Sequence, residues 1–412
     1  MSSEGRTISD KKVPNLNVTD RRSPGMHYMV SDLASTLDES MRARSVDNFS
    51  RVFAITPDDR VLLLLDNAID PRVVRFIWEF ARGRGAEVRA VTLDLHGSAG
   101  GYSSVNPAIP DDVKPLSEWA TFVVSTWFSS MSNPYFNQRR REGQRWVKIT
   151  YFRNLDMLNT EAAAFPLDVI SLLLSTTAKS YPKSGEATIH VTDPRGTDLI
   201  IRMDEATVRH TMNQALWKGE VMADHPGCYV HYLTTHGPNF YGRVQADQII
   251  DHVDGLLVPQ WSVGFPDYFD EPVAIALEEN RVVKVDGSLS WYGGVLEEML
   301  MGSRLIELGC GFNPKWPRDQ IYPAGTNSPW GIHFGMDLVG ESQYIKELLP
   351  DWPEPPVHMD LVDLDATISV NGTTVVEDGR LCALDDPEVR ALAGRYGSPE
   401  YLLDSWPFIT AH

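Results

Sequence analysis

Apolar and polar positions divide the chain into two textures. Residues 61–65 (VLLLL) form an unbroken apolar run, the length of a strand buried on both faces. Pro71 then marks a helix start. Val74, Ile77, Trp78 and Ala81 fall at i, i+3, i+4 and i+7, one face of a helix that Gly83 and Gly85 end. Residues 88–91 supply the next strand. The sequence predicts a β-α-β unit and therefore a parallel sheet. Residues 120–126 read as another buried strand and 161–176 as a helix. The turn-forming stretch 180–185 (SYPKSG) makes a boundary.

Beyond it the runs shorten. Residues 187–191 and 199–203 flank the turn 193–197 (DPRGT). Residues 273–276 and 282–285 repeat the pattern, as do 367–370 and 374–376 around Asn371-Gly372, a strong hairpin turn. The expected fold is α/β. A mobile arm at 1–25 precedes an N-terminal α/β domain with a parallel sheet (26–183) and a C-terminal mixed, β-rich metal-binding domain (184–412). Asp66-Asn67-Ala68 follows the first strand where a nucleotide-binding chain would place glycines, so no nucleotide site is expected.

Composition narrows the function. The 412 residues suit two domains. A net charge of −19 excludes nucleic acid and anionic membrane surfaces as partners, since both demand a surplus of Lys and Arg. Cys228, Cys310 and Cys382 are too scattered for a disulfide framework or a zinc motif. The first 25 residues are polar and carry no apolar signal core, and the run 61–65 is far too short to span a bilayer. A cytoplasmic protein is expected.

Three C-terminal stretches carry candidate chemistry: 306–314 (IELGCGFNP), 331–337 (GIHFGMD) and 357–360 (VHMD). His358 and Asp360 are two apart, so a strand would project both to one side. His333 adds an imidazole and Glu307 a carboxylate. Such donors suit zinc, iron, cobalt or manganese. Two His and one carboxylate with open positions make the iron(II) facial triad, whereas further carboxylates would allow two bridged metals.

These stretches, with 361–380 (LVDLDATISVNGTTVVEDGR), the early unit from about residue 55 and the hairpin 191–203, resemble the aminopeptidase T family of metallopeptidases. They also resemble its non-peptidase relative, 2,5-dihydroxypyridine 5,6-dioxygenase. The resemblance implies a homodimer whose metal is held by Glu307, His333, His358 and Asp360. A further peptidase ligand, a glutamate, falls on Asp267, one methylene shorter. That departure weakens the reading with two Zn2+, Co2+ or Mn2+ ions, which needs the extra carboxylate. The dioxygenase relative uses two His and one Asp for a single Fe2+. The expected activity is therefore oxidative cleavage by O2 of a hydroxylated, nitrogen-containing aromatic ring. A dinuclear aminopeptidase or amidohydrolase is the alternative.

Ring cleavage needs a group to take up and return the substrate's hydroxyl proton. His225, His231 and His236 lie close together in a chain of 11 histidines and are the candidates. Trp261, Phe265 and Trp330 flank the motif stretches and are candidate walls for a flat ring.

Overall fold

The computed structural model describes residues 39–67, 69–93, 109–126, 134–149, 152, 154–232, 239–242, 252–262, 268–287, 290–316, 331–337 and 359–404. Five parallel strands make the first sheet: β1 (Arg60–Asp66), β2 (Glu87–Leu93), β3 (Phe122–Ser125), β4 (Arg145–Lys148) and β7 (Tyr229–His231), in the order β2-β1-β3-β4-β7. Alternation along β1 explains the unbroken apolar run. Val61, Leu63 and Leu65 enter one core cluster, while Leu62 and Leu64 enter a second with Val123, Phe136 and Trp146. Burial on both faces leaves no solvent side to be polar.

The helix Pro71–Gly83 follows β1, with Asp70 as its N-cap accepting from the Arg72 amide. Its fully buried stripe is Val73, Ile77 and Ala81, whereas Val74 and Trp78 flank it half-buried. The predicted helix 161–176 is two, Glu161–Ala164 and Leu167–Ala178, because Pro166 supplies no amide to continue the first. The fifth strand of this sheet comes from far along the chain. β7 lies beyond the turn at 180–185, so the two halves of the sequence interlock.

The remaining strands are antiparallel in every ladder among the described residues. Eight form one sheet, in the order β12 (Arg281–Asp286), β11 (Ala274–Glu278), β9 (His252–Leu257), β6 (Asp198–Met203), β5 (Ala187–Thr192), β16 (Thr367–Val370), β17 (Thr373–Glu377) and β18 (Arg380–Leu381). Asn371 and Gly372, at φ 48° and 80°, turn β16 into β17 as Asn-Gly does in hairpins. Five form the third sheet: β10 (Trp261–Ser262), β15 (Met359–Asp363), β14 (Ile332–Asp337), β13 (Arg304–Gly309) and β8 (Asn239–Gly242).

A buried polar joint ties the second sheet to the third. From the β5–β6 turn, Arg195 reaches Asp193, Asp363 at the end of β15 (2.5 Å) and Asp365 (3.1 Å). Gln260 donates to Asp365 and accepts from the Leu364 amide. Three carboxylates around one guanidinium cannot all ionise comfortably. Burial and the hydrogen bond to Asp193 push the Asp363 carboxyl well above the usual range. A carboxyl raised on folding stabilises the protein at low pH and loses that contribution as pH rises through its folded value. Thermal stability is therefore expected to decline toward alkaline pH, and Asp363→Asn, which mimics the protonated acid, to flatten that decline. Melting temperatures from pH 5 to 9 test this, and identical slopes for the two proteins would refute it.

Candidate metal centre

The third sheet carries two of the sequence candidates on β13 and β14 and a third on β15. The register runs Gly242–Glu307–Gly335–Asp360 across β8, β13, β14 and β15. Residues directly opposite in an antiparallel pair share a face, as do i and i+2 along a strand. His333, two before Gly335, therefore lies on the same face as Glu307 and Asp360. The neighbouring row on that face is Gly309–His333–Val362–Trp261. The opposite face is apolar, with Leu308, Phe334 and Leu361 in one row.

Glu307 reaches this face because of one irregularity. β13 slips register between Leu305 and Glu307, so that Leu305 opposes Met336 while Glu307 opposes Gly335. Were Ile306 paired in a regular ladder, Glu307 would oppose Phe334 and its carboxylate would point into the apolar side. Bulges recur beside functional sites because they re-aim a side chain in this way.

Glycines clear the space around the donors. Gly242, Gly309 and Gly335 all fall on the donor face, and Gly335 sits between the two carboxylates. Glu307 and Asp360 are two strand spacings apart, roughly 10 Å between backbones, with no side chain in the row between them. Glycine inside a strand often marks a place where a ligand approaches the backbone closely.

The site is largely enclosed. His333 is 1% exposed and Asp360 6%, and the His333 Nε2 stands 3.8 Å from the Glu307 Oε1. Ser262 holds the Asp360 strand by donating its hydroxyl to the Asp360 carbonyl. Trp261 is buried on the same face, one row from Asp360.

The first sheet supplies a cation. Lys148 ends β4, in register with Ser125 at the end of β3 and His231 at the end of β7. It is 2% exposed and is drawn electrostatically to both Glu307 and Asp360. Burial pushes the Lys148 ammonium down to about 7, while the two carboxylates hold it up against that penalty. Asp66 and Ser125 are likewise buried where their strands end. The carboxyl ends of parallel strands are where α/β sheets receive ligands.

The other candidates fall elsewhere. His231 is buried beside Lys148. His225 is largely exposed and pairs with Asp224 at 3.3 Å. His236, Phe265, Asp267, Trp330 and His358 lie outside the described residues, as does the arm 1–25. Lys148, the placement of the three glycines on the donor face and the Ile306 bulge escaped the sequence reading. The visible signal for the first is a lysine closing an otherwise buried strand, RWVK.

The donor chemistry fits a cation: two carboxylates and an imidazole on one enclosed face, with an ammonium already attracted to the carboxylates. Among the described residues no three of His, Cys, Asp and Glu converge tightly enough to hold an ion unaided. His358, the further donor expected from the sequence, lies outside the described residues. No helix among the described residues is long and apolar enough to cross a membrane.

Fold and site together define an α/β protein with one parallel sheet and two antiparallel sheets, one of which bears carboxylates and an imidazole on one face. Solved structures of that fold include 2,5-dihydroxypyridine dioxygenase from Pseudomonas putida KT2440. It aligns over 85% of this chain and 98% of its own, at a TM-score of 0.57 and 17% identity. AmpT from Thermus thermophilus aligns over 83% and 99%, at a TM-score of 0.45 and 11% identity. No protein-family model and no curated protein matches the sequence. At 17% identity the likeness to the dioxygenase is one of fold.

Proposed function

We propose that the chain is an iron(II)-dependent dioxygenase that opens a hydroxylated, nitrogen-containing aromatic ring, a 2,5-dihydroxypyridine-like substrate. The observation that supports the reading is the row Glu307–Gly335–Asp360 with His333 on the same face, a donor set that gathers an imidazole and carboxylates around a position cleared by glycine. The fold shared with a dihydroxypyridine dioxygenase supports the same choice.

His333, His358 and Asp360 would hold the iron, with Glu307 beside them. Iron(II) held there would supply Lewis-acid and redox chemistry for joining the ring to O2. The glycine-cleared face lets a flat ring lie against the sheet, with Trp261 as the wall at its edge. Lys148 orients an anionic ring oxygen by its charge. His231, in register with Lys148, takes the hydroxyl proton at its imidazole and returns it to the product. The reading carries with it a cytoplasmic homodimer.

Protein purified without oxygen should hold about one iron per chain and consume O2 when given 2,5-dihydroxypyridine. Two metals per chain, together with release of amino acid from aminoacyl amides without O2, would replace this reading with the peptidase one.

A further inference from the structure

The Ile306 bulge does more than aim Glu307. Residues 304 and 307 are three apart, so a regular strand would send their side chains to opposite faces. Here Arg304 opposes Asp337 and Glu307 opposes Gly335, and those two partners are i+2 and i on the unbulged β14. The bulge therefore brings Arg304 to the same face as Glu307, His333 and Asp360. We infer that Arg304 is a specificity-determining residue of this site: it recognises a carboxylate on the ring, and the substrate class is a hydroxylated N-heteroaromatic carboxylic acid. The inference rests on the proposed ring-cleaving activity and adds an anionic substituent to its substrate.

Position, exposure and charge support it. The Arg304 row lies two residues along β14 from the row Glu307–Gly335–Asp360, about 7 Å away. A six-membered ring seated at the cleared position over Gly335 carries a substituent into that gap. Exposure rises toward Arg304 along this face: His333 and Asp360 are buried, the Glu307 side chain is 20% exposed and Arg304 is half-buried. The cationic end is thus the more open end, where an incoming anion arrives first. Two carboxylates on the face and a net charge of −19 on the chain repel an anionic ligand, and a guanidinium offsets that repulsion locally. The start of β13 is held in place by Asn280, a buried residue that donates to the Leu305 carbonyl at 3.0 Å and accepts from the Leu305 amide at 2.9 Å. A fixed backbone pre-organises the planar fork that grips a carboxylate through two parallel hydrogen bonds. Five donors let a guanidinium hold a ligand carboxylate beside a protein one, as Arg195 of this chain holds Asp193, Asp363 and Asp365 together.

The test compares 2,5-dihydroxypyridine with its 3-carboxylate and its 4-carboxylate. Calorimetry on protein loaded with Zn2+, which has no redox chemistry, reads binding without turnover, and O2 uptake by the iron-loaded protein reads KM and kcat. The wild type is expected to bind a carboxylated ring at least about tenfold more tightly than the plain one, the worth of a charge-assisted hydrogen bond. Arg304→Met, which keeps a stem and removes the charge, is expected to bring that ratio to within about twofold, with the change falling on KM rather than kcat. Arg304→Lys, which keeps the charge without the fork, is expected to fall between the two. A merely structural role would weaken both ligands alike and leave the ratio where it was. Should Arg304→Met not fold, Arg304→Gln answers the same question. A wild type that binds the carboxylated rings no better than the plain one overturns the inference, as does a ratio unchanged in the neutral variants. O2 uptake with the plain ring then leaves the ring-cleaving reading standing, whereas absence of O2 uptake with every ring overturns both.

Discussion

Asp360→Asn is expected to abolish metal binding at the proposed centre while the protein stays folded. The change keeps the shape of the side chain and its place in β15, and the Ser262 hydroxyl still meets the backbone carbonyl at that position. What disappears is a charged oxygen donor on the face shared with His333 and Glu307. Neutral amide oxygen is a far poorer ligand for imidazole-and-carboxylate metals. Metal affinity should fall at least about 100-fold, and ring-cleaving turnover at least about 1,000-fold. Calorimetry with metal-free protein and O2 uptake measure the two effects, and circular dichroism checks the fold. Wild-type affinity in this variant would remove Asp360 from the ligand set.

Gly379→Ala is expected to cause the largest loss of stability from a single methyl group. Gly379 turns β17 into β18 at φ +76°, in the left-handed region. A Cβ there would lie 1.9 Å from the Leu364 carbonyl oxygen, a backbone atom that has no flexible end to swing away. Leu364 directly follows β15, and the Leu364 amide is held by Gln260. The backbone must move at the joint that anchors the strand carrying Asp360. Strained φ and displaced backbone together should cost about 3 kcal/mol or more. Urea unfolding of the two proteins measures it, and a difference below about 1 kcal/mol would show that the turn relaxes freely. Metal binding should weaken in the same variant, because its ligand strand shares the displaced segment.

Local patterns were legible because local physics sets them. The apolar run of β1, the capped helix after Pro71 and the Asn371-Gly372 turn each depend on a few neighbouring residues, and each stands where the pattern places it. The helix at 161–176 was read too long because apolar spacing continues across Pro166 although the hydrogen bonds do not. The assignment of β7 to the first sheet was not legible at all. Its three residues carry little pattern of their own, and pairing with β4 is a contact between segments some eighty residues apart.

The candidate site divides along the same line. By itself the sequence named the donor types and three donors that the structure brings to one face, Glu307, His333 and Asp360, because their motifs are short and contiguous. It also supplied Gly335, without showing that this glycine lies between the carboxylates. Tertiary structure alone decided three things. Register across separate strands set Glu307, Gly335 and Asp360 in a row. The Ile306 bulge turned Glu307 toward His333 and away from the apolar side. The meeting of two sheets carried the charge of Lys148 to both carboxylates. Strand pairing and sheet packing join residues more than a hundred positions apart, and no periodicity along the chain encodes which of them will meet.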